Sequence, residues 1–308
     1  MKGLVNVQHV SCWLKKIAIA TMGVAVASCT TAQVPRLVPL PAGAHYVAMG
    51  SSFAAGPGVG TTVESTPARC SRSTDNYAQQ LARMYDLRLT DVSCGGATTA
   101  HVLGPWNELP AQVDALRPDT ALVTVTIGGN DVNYIGGLMA KSCEQPAAGV
   151  AAKVCQKLAE MASADPEARS RAMAASSEDA WQAVKAGLEG IAREVRRRSP
   201  NARLVFVDYL SIVPEGELCA QVPLSDEAAA SARATAARLA EVTANVARDT
   251  GAELIRASEL SKNHDACSSA PWMNGFIPSG GAGQFALYHP NLAGMTAIAE
   301  ALGQRLGR

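Results

Sequence analysis

The sequence predicts an α/β fold: a mainly parallel sheet of five strands with helices on both faces. Three observations carry this. Five short β-rich runs alternate along the chain with longer helical patterns, and that alternation builds a parallel sheet covered on both sides. The run Ala121 to Ile127 (ALVTVTI) is β-branched and nearly continuous, as a strand buried on both faces must be. A chain of 308 residues with 48% hydrophobic and only 18% charged content can also fill a sizeable core, and is too apolar to be disordered.

The strands are expected at His45 to Met49, Leu89 to Ser93, Ala121 to Ile127, Leu204 to Leu210 and Glu253 to Ala257. Helical patterns run over Asn76 to Tyr85, Pro110 to Leu116, Ser176 to Arg198, Ser225 to Thr250 and Asn291 to Leu306. The Ala-rich segment 225–250, with Arg233, Arg238 and Arg248, reads as a solvated amphipathic helix. Residues 141–175 hold two cysteines and much alanine but little β character, and read as an insertion. There is no internal repeat.

The N-terminus reads as an address. Lys2, Lys15 and Lys16 precede an apolar run, Ile17 to Ala27, shorter than the about 20 residues that span a bilayer. The run ends Val26-Ala27-Ser28-Cys29, which looks like a bacterial lipoprotein signal with lipidation at Cys29. The expected organisation is a signal at 1–28, a Pro-rich tether at 29–43 and one domain at 44–308. The alternative is cleavage after Ala32 and a soluble secreted protein. Either way the protein is exported, and the anchored form sits in the cell envelope. Six cysteines remain beyond Cys29, and an even count in an oxidising compartment indicates disulfides. Of 15 connectivities for six cysteines, sequential pairing is expected: Cys70–Cys94, Cys143–Cys155 and Cys219–Cys267. The absence of CxxC and HExxH argues against a metal site. The 27 basic and 27 acidic side chains balance, which argues against nucleic acid as a partner.

In parallel sheets, ligands bind beyond the carboxyl ends of the strands. Small or polar blocks sit there: Gly50-Ser51-Ser52 after the first strand, Cys94-Gly95-Gly96 after the second, and Gly128-Gly129-Asn130-Asp131 after the third. Tyr288-His289-Pro290-Asn291 opens the last helix. Singly, each has a plain structural reading as a cap or turn.

In this order, from Tyr46 to Arg308, the blocks resemble the SGNH (GDSL) hydrolase family. The stretches RCSRSTDNY, DVSCGGATT, TIGGND, HDAC, PW-x-NG and YHPN carry a closer likeness to secreted three-disulfide bacterial esterases and lipases. The resemblance implies a three-layer α/β/α sandwich with a flavodoxin-like five-stranded sheet. It implies Ser52 as nucleophile, His289 as general base and then acid, and an oxyanion hole built from the N–H of Ser52, the N–H of Gly96 and the Asn130 amide. The reaction would be hydrolysis of carboxylic esters through an acyl-enzyme, needing neither metal nor organic cofactor. A monomer acting on a small-molecule or lipid ester is expected.

Two departures stand out. Ser51 occupies the position of the family's usual Asp. Ala286 stands three residues before the histidine, where the family usually carries the triad acid. Three explanations are open: a Ser–His dyad oriented by the backbone carbonyl of Ala286, an acid such as Asp265 reaching His289 from elsewhere, or an inactive member. His264 is the rival histidine. For the substrate, Phe53, Ala54, Ala55, Gly56, Val102, Leu103, Trp106 and Ile135 would suit an aliphatic acyl chain, or else simply fill the core. The alternatives are a polysaccharide O-deacetylase and a non-catalytic ligand-binding envelope lipoprotein.

Overall fold

The computed structural model describes residues 39–64, 66–145, 149–164, 177–277 and 286–307. The expected signal at 1–28, the lipidation at Cys29 and most of the tether lie outside the described residues. The end of the tether already belongs to the domain: Leu40 is buried, and the N–H of Gly43 donates to the Asp86 carbonyl at 2.6 Å.

The five strands are β1 (His45–Gly50), β2 (Arg88–Asp91), β3 (Thr120–Thr126), β4 (Arg203–Val207) and β5 (Glu253–Ile255). All neighbours pair in parallel, in the order β2-β1-β3-β4-β5. β1 is buried along its whole length and β3 almost so, which is why their sequences read as continuous rather than alternating apolar runs. From β1 the chain steps outward to β2, then returns to β3 on the other side. This reversal at the carboxyl end of β1 is the topological switch point where such sheets bind ligands.

Helices follow as α1 (Ser52–Ala55), α2 (Tyr77–Tyr85), α3 (Thr99–Leu103), α4 (Tyr134–Ser142), α5 (Gly149–Ala164), α6 (Glu178–Arg198), α7 (Asp226–Thr250), α8 (Ala257–Leu260) and α9 (Leu292–Arg305). α2 packs on α9, whereas α6 packs on α3 and α7, and α7 on α4. Right-handed crossovers around the switch point send these two groups to opposite faces of the sheet. The long helices begin where their caps predict. The Ser177 and Ser225 hydroxyls accept from the N–H groups of Ala180 and Ala228, each at 3.2 Å. Glu178 and Asp179 open α6 and Arg196, Arg197 and Arg198 close it, matching the helix dipole.

Three departures from expectation shape the edge of the sheet and the insertion. The segment 110–116 forms only a 3₁₀ turn, Gln112–Ala115, because the seven residues between Pro110 and Pro118 are too few to propagate an α-helix. The insertion contains the 16-residue helix α5, joined to the end of α4 through Cys143–Cys155. The fourth β-rich run leaves the sheet at Val207, so Asp208, Tyr209 and Leu210 belong to the loop at its carboxyl edge. The other two disulfides are Cys70–Cys94 and Cys219–Cys267, so all three bonds follow sequential order.

Candidate active site

Ser52 begins α1, directly after β1. The turn that presents it depends on Gly50, whose φ of 138° is closed to ordinary side chains, and a Cβ there would strike the Thr126 carbonyl. The buried Gln112 amide grips this glycine twice. Its Oε1 accepts from the Gly50 N–H at 2.7 Å, and its Nε2 donates to the Gly50 carbonyl at 3.0 Å. Ser51, in the place of the family's Asp, is buried; its N–H donates to the Thr126 carbonyl at 2.9 Å and its hydroxyl lies 3.3 Å from the Tyr209 hydroxyl.

His289 lies 237 residues away in sequence, yet its Nε2 is 2.7 Å from the Ser52 Oγ. Its Nδ1 is 2.7 Å from the Leu287 carbonyl. A carbonyl only accepts, so Nδ1 carries the proton and Nε2 presents its lone pair to the serine hydroxyl. The imidazole is nearly buried, with the Phe53 ring 5.3 Å away. Burial lowers its pKa below the usual histidine value, and the Leu287 contact offsets that only partly.

The carbonyl that meets His289 Nδ1 is therefore that of Leu287, which corrects the expectation for Ala286. The reason is that the Ala286 carbonyl is occupied. It accepts from the backbone N–H of His289 at 3.3 Å and from the Asn274 amide at 3.2 Å. The shift by one residue is made at Tyr288, whose φ of 56° is left-handed. For a bulky side chain that conformation costs on the order of 1–3 kcal/mol and persists only where its surroundings hold it. Asp265 does not reach the histidine either: its Oδ1 accepts from the Cys267 N–H at 2.8 Å. His264 is committed elsewhere, stacked on Trp272 at 4.0 Å with Nδ1 on the Ala270 carbonyl.

The expected oxyanion donors lie on loops at the carboxyl edge of the sheet. Gly96 has a φ of 82°, and a Cβ there would press on the Trp106 ring at 3.3 Å. Among the described residues, the backbone N–H groups of Ser52 and Gly96 meet no protein acceptor. The Asn130 Nδ2 donates one hydrogen to the Ala97 carbonyl at 2.8 Å, which fixes the amide beside Gly96 and leaves its second hydrogen over. The loops are laced to one another. The Cys94 N–H donates to the Gly50 carbonyl at 3.0 Å, and the Gly95 N–H to the carbonyl of Cys70, the disulfide partner of Cys94, at 3.0 Å. The Gly129 N–H donates to the Tyr209 hydroxyl at 2.9 Å, which also meets Ser51.

Several supporting residues were not legible as such. Asp131, inside the quoted GGND block, accepts from the Thr99 N–H at 3.1 Å and the Thr99 hydroxyl at 2.5 Å, binding the third loop to α3. Desolvation raises its pKa. Tyr209 could have been suspected from its place just past a strand end; Gln112 carries no local signal at all. Arg72 holds the carbonyls of Ser93 and Asp91 at 2.6 and 2.8 Å, bracing the approach to Gly96.

This constellation can be set beside known proteins. Residues 48–297 match the GDSL-like lipase/acylhydrolase family over most of the chain. The chain belongs to that family. It is 34% identical over 260 residues to Lipase 2 of Streptomyces coelicolor, covering 83% of each chain. It is also similar to the crystal structure of an extracellular lipase from Streptomyces rimosus, with a TM-score of 0.65, 27% identity, and coverage of 84% of this chain and 98% of that one. A phospholipase A1 from Streptomyces albidoflavus, at 24% identity and a TM-score of 0.64 over 85% of this chain and 99% of that one, shares the fold. This GDSL-family protein is accordingly a carboxylic ester hydrolase of the lipase/esterase kind, and its three disulfides mark a chain that folds in an oxidising compartment.

The apolar residues expected around an acyl chain resolve mostly as core. Phe53, Ala54, Val102 and Ile135 are buried within the main cluster, Ala55 is buried beside them in sequence, and Leu103 and Trp106 remain half exposed. Trp106 is clamped between the His101 ring at 4.2 Å and the Arg69 guanidinium at 4.0 Å, next to Gly96.

Proposed function

We propose that Ser52 is the nucleophile and His289 the base of a Ser–His dyad that hydrolyses acyl esters through an acyl-enzyme. The observation that carries this is the single line Leu287 carbonyl, His289 Nδ1, Nε2, Ser52 Oγ, with both contacts at 2.7 Å. A neutral serine hydroxyl is a poor nucleophile without an adjacent base. As Oγ attacks the ester carbon, its proton passes to Nε2. The carbonyl oxygen becomes an oxyanion facing the N–H groups of Ser52 and Gly96 and the free amide hydrogen of Asn130. The imidazolium then protonates the leaving alcohol. Water, deprotonated by the same nitrogen, attacks the acyl-enzyme and releases the acid. The test is a fluorophosphonate probe, which should label the wild-type protein and leave Ser52→Ala unlabelled. An unlabelled wild type would favour the non-catalytic reading.

We further propose an acyl lipid or simple ester as substrate, since Lipase 2 of Streptomyces coelicolor, 34% identical, is described as a lipase. Rates across p-nitrophenyl esters of rising chain length test this; strict preference for acetyl would point to deacetylation instead. The proposed location is a cell-envelope membrane surface reached through lipid on Cys29, in a protein acting as a monomer. Loss of detergent-phase partitioning in Cys29→Ser is the expected result; unchanged partitioning would refute the anchor.

A further inference from the structure

Tyr288 lies between the carbonyl that accepts from His289 and the histidine itself, and its backbone conformation aims that carbonyl. Its side chain is wholly buried, with the Phe276 ring 6.0 Å away. Its hydroxyl lies 2.6 Å from the Oγ of Ser142, the last residue of α4. The Ser142 hydroxyl donates to the Leu138 carbonyl at 2.9 Å, so its one proton is spent and Tyr288 must donate to Ser142. Ser142 in turn precedes Cys143, whose disulfide joins α4 to α5.

We propose that Tyr288 is a positioning residue for the hydrolysis, its phenol anchored on Ser142 so that the left-handed turn at 288 holds the Leu287 carbonyl on His289 Nδ1. The proposal rests on the Ser52–His289 reading. It gives the structure a substitute for the missing triad acid that spans two residues and one buried hydrogen bond. Backbone bonds fix the two ends of the turn: the Tyr288 N–H donates to the Gly275 carbonyl at 3.2 Å, and the Asn274 N–H to the His289 carbonyl at 2.9 Å. The Tyr288 N–H shares a peptide plane with the Leu287 carbonyl and the His289 N–H holds the next plane on Ala286, so the phenol anchored on Ser142 fixes the residue at which the two planes turn. Among the described residues, the groups facing the imidazole are Ser52, Phe53 and the Leu287 carbonyl, while Asp265 and His264 are engaged with their own loop.

The experiment compares Tyr288→Phe, Ser142→Ala and Ser142→Thr with wild type on one p-nitrophenyl ester. Tyr288→Phe and Ser142→Ala should each lower kcat by roughly ten- to a hundredfold, a part of the about 10²–10⁴ that general acid–base catalysis supplies in full, with KM little changed. The acidic limb of kcat/KM should move to lower pH, because an imidazolium that loses its Nδ1 acceptor is less stable. Ser142→Thr, which keeps the hydroxyl, should restore most of the rate. A variant that folds by circular dichroism but shows unchanged kcat and an unmoved limb overturns the proposal. So does a rate loss with no limb shift, which a merely structural role would give. If Tyr288→Phe does not fold, Ser142→Ala decides, since it leaves the aromatic packing in place; if neither folds, the pair is structural and the proposal falls. Fluorophosphonate labelling of wild type separates this outcome from failure of the dyad itself.

Discussion

Gln112 provides the sharpest test of how the nucleophile is held. Its amide is the acceptor for the Gly50 N–H and one of two donors to the Gly50 carbonyl, the other being the Cys94 N–H. In Gln112→Ala the N–H is left buried and unpaired, which costs about 1–3 kcal/mol. The carbonyl keeps Cys94 and loses one net hydrogen bond, about 1 kcal/mol. The sum, roughly 2–4 kcal/mol, is a large fraction of the 5–15 kcal/mol that keeps a domain folded. Urea denaturation followed by tryptophan fluorescence measures it. Turnover should fall as well, since Gly50 sets the turn into Ser51 and Ser52.

Gln112→Glu separates the two halves of the grip. A carboxylate still accepts from the Gly50 N–H but sets its second oxygen against the Gly50 carbonyl, where only the protonated acid can donate. Burial and this clash raise the carboxyl pKa in the folded state above its unfolded value of about 4.3. The folded protein then binds the extra proton, so stability relative to wild type rises as pH falls through the raised pKa and is lost above it. A Gln112→Ala loss under about 0.5 kcal/mol, the scale of an ordinary surface substitution, would refute the reasoning. So would a Gln112→Glu difference that does not change with pH.

Three further outcomes follow from the site. Asn130→Ala should lower kcat by about 10²–10³ with little change in KM, the cost of one oxyanion donor; steady-state kinetics check it. Asp265→Asn should turn over near the wild-type rate, because Asp265 serves Cys267; a loss near 10⁴, the scale for a triad acid, would restore it as the orienting group. Burial lowers the His289 pKa, so kcat/KM should rise with pH through a midpoint below the ordinary histidine value of 6.5 and be flat by neutrality; a midpoint above it would mean that a carboxylate faces the ring.

The sheet was legible because its strands obey a simple physical demand. Ala121 to Ile127 must be apolar on both faces, and a run that satisfies this has few other uses. The longer helices were legible as periodic runs, and in the structure Asn76, Ser177, Ser225 and Asn291 cap them. α3, α4 and α8 were not, since short helices at the carboxyl edge of the sheet owe their form to tertiary packing rather than propensity. The proposed nucleophile Ser52, the proposed base His289 and Gly96 stand out in the sequence as a set of motifs, and the contact of Ser52 with His289 is the part of that set the geometry brings together. Gln112 was not, because its partners are backbone atoms of a glycine 62 positions away, and nothing in the sequence around it marks an amide turned inward.

The misread carbonyl has a deeper cause. A triad acid has a residue identity, so its absence from D-x-x-H is visible; a backbone carbonyl has none, and any residue supplies it. Which carbonyl points at Nδ1 is decided by competition for hydrogen bonds. Ala286 loses because Asn274 and the His289 N–H already use it, and Leu287 wins through the left-handed turn at Tyr288. The substitution also changes the chemistry. A carboxylate would both orient the ring and stabilise the imidazolium by charge, whereas a neutral carbonyl chiefly orients it. In this buried pocket the resting histidine is therefore an uncharged base at neutral pH, ready for the serine proton, and its protonated form is the costly one. In the proposed dyad the main countercharge to that imidazolium is the oxyanion formed in the same step. Attraction across that pair, rather than a permanent carboxylate, would then stabilise the transition state, and it would work only while the three proposed donors and one carbonyl keep their places. A site of this design should tolerate acidic residues being removed around it far better than it tolerates a shifted backbone.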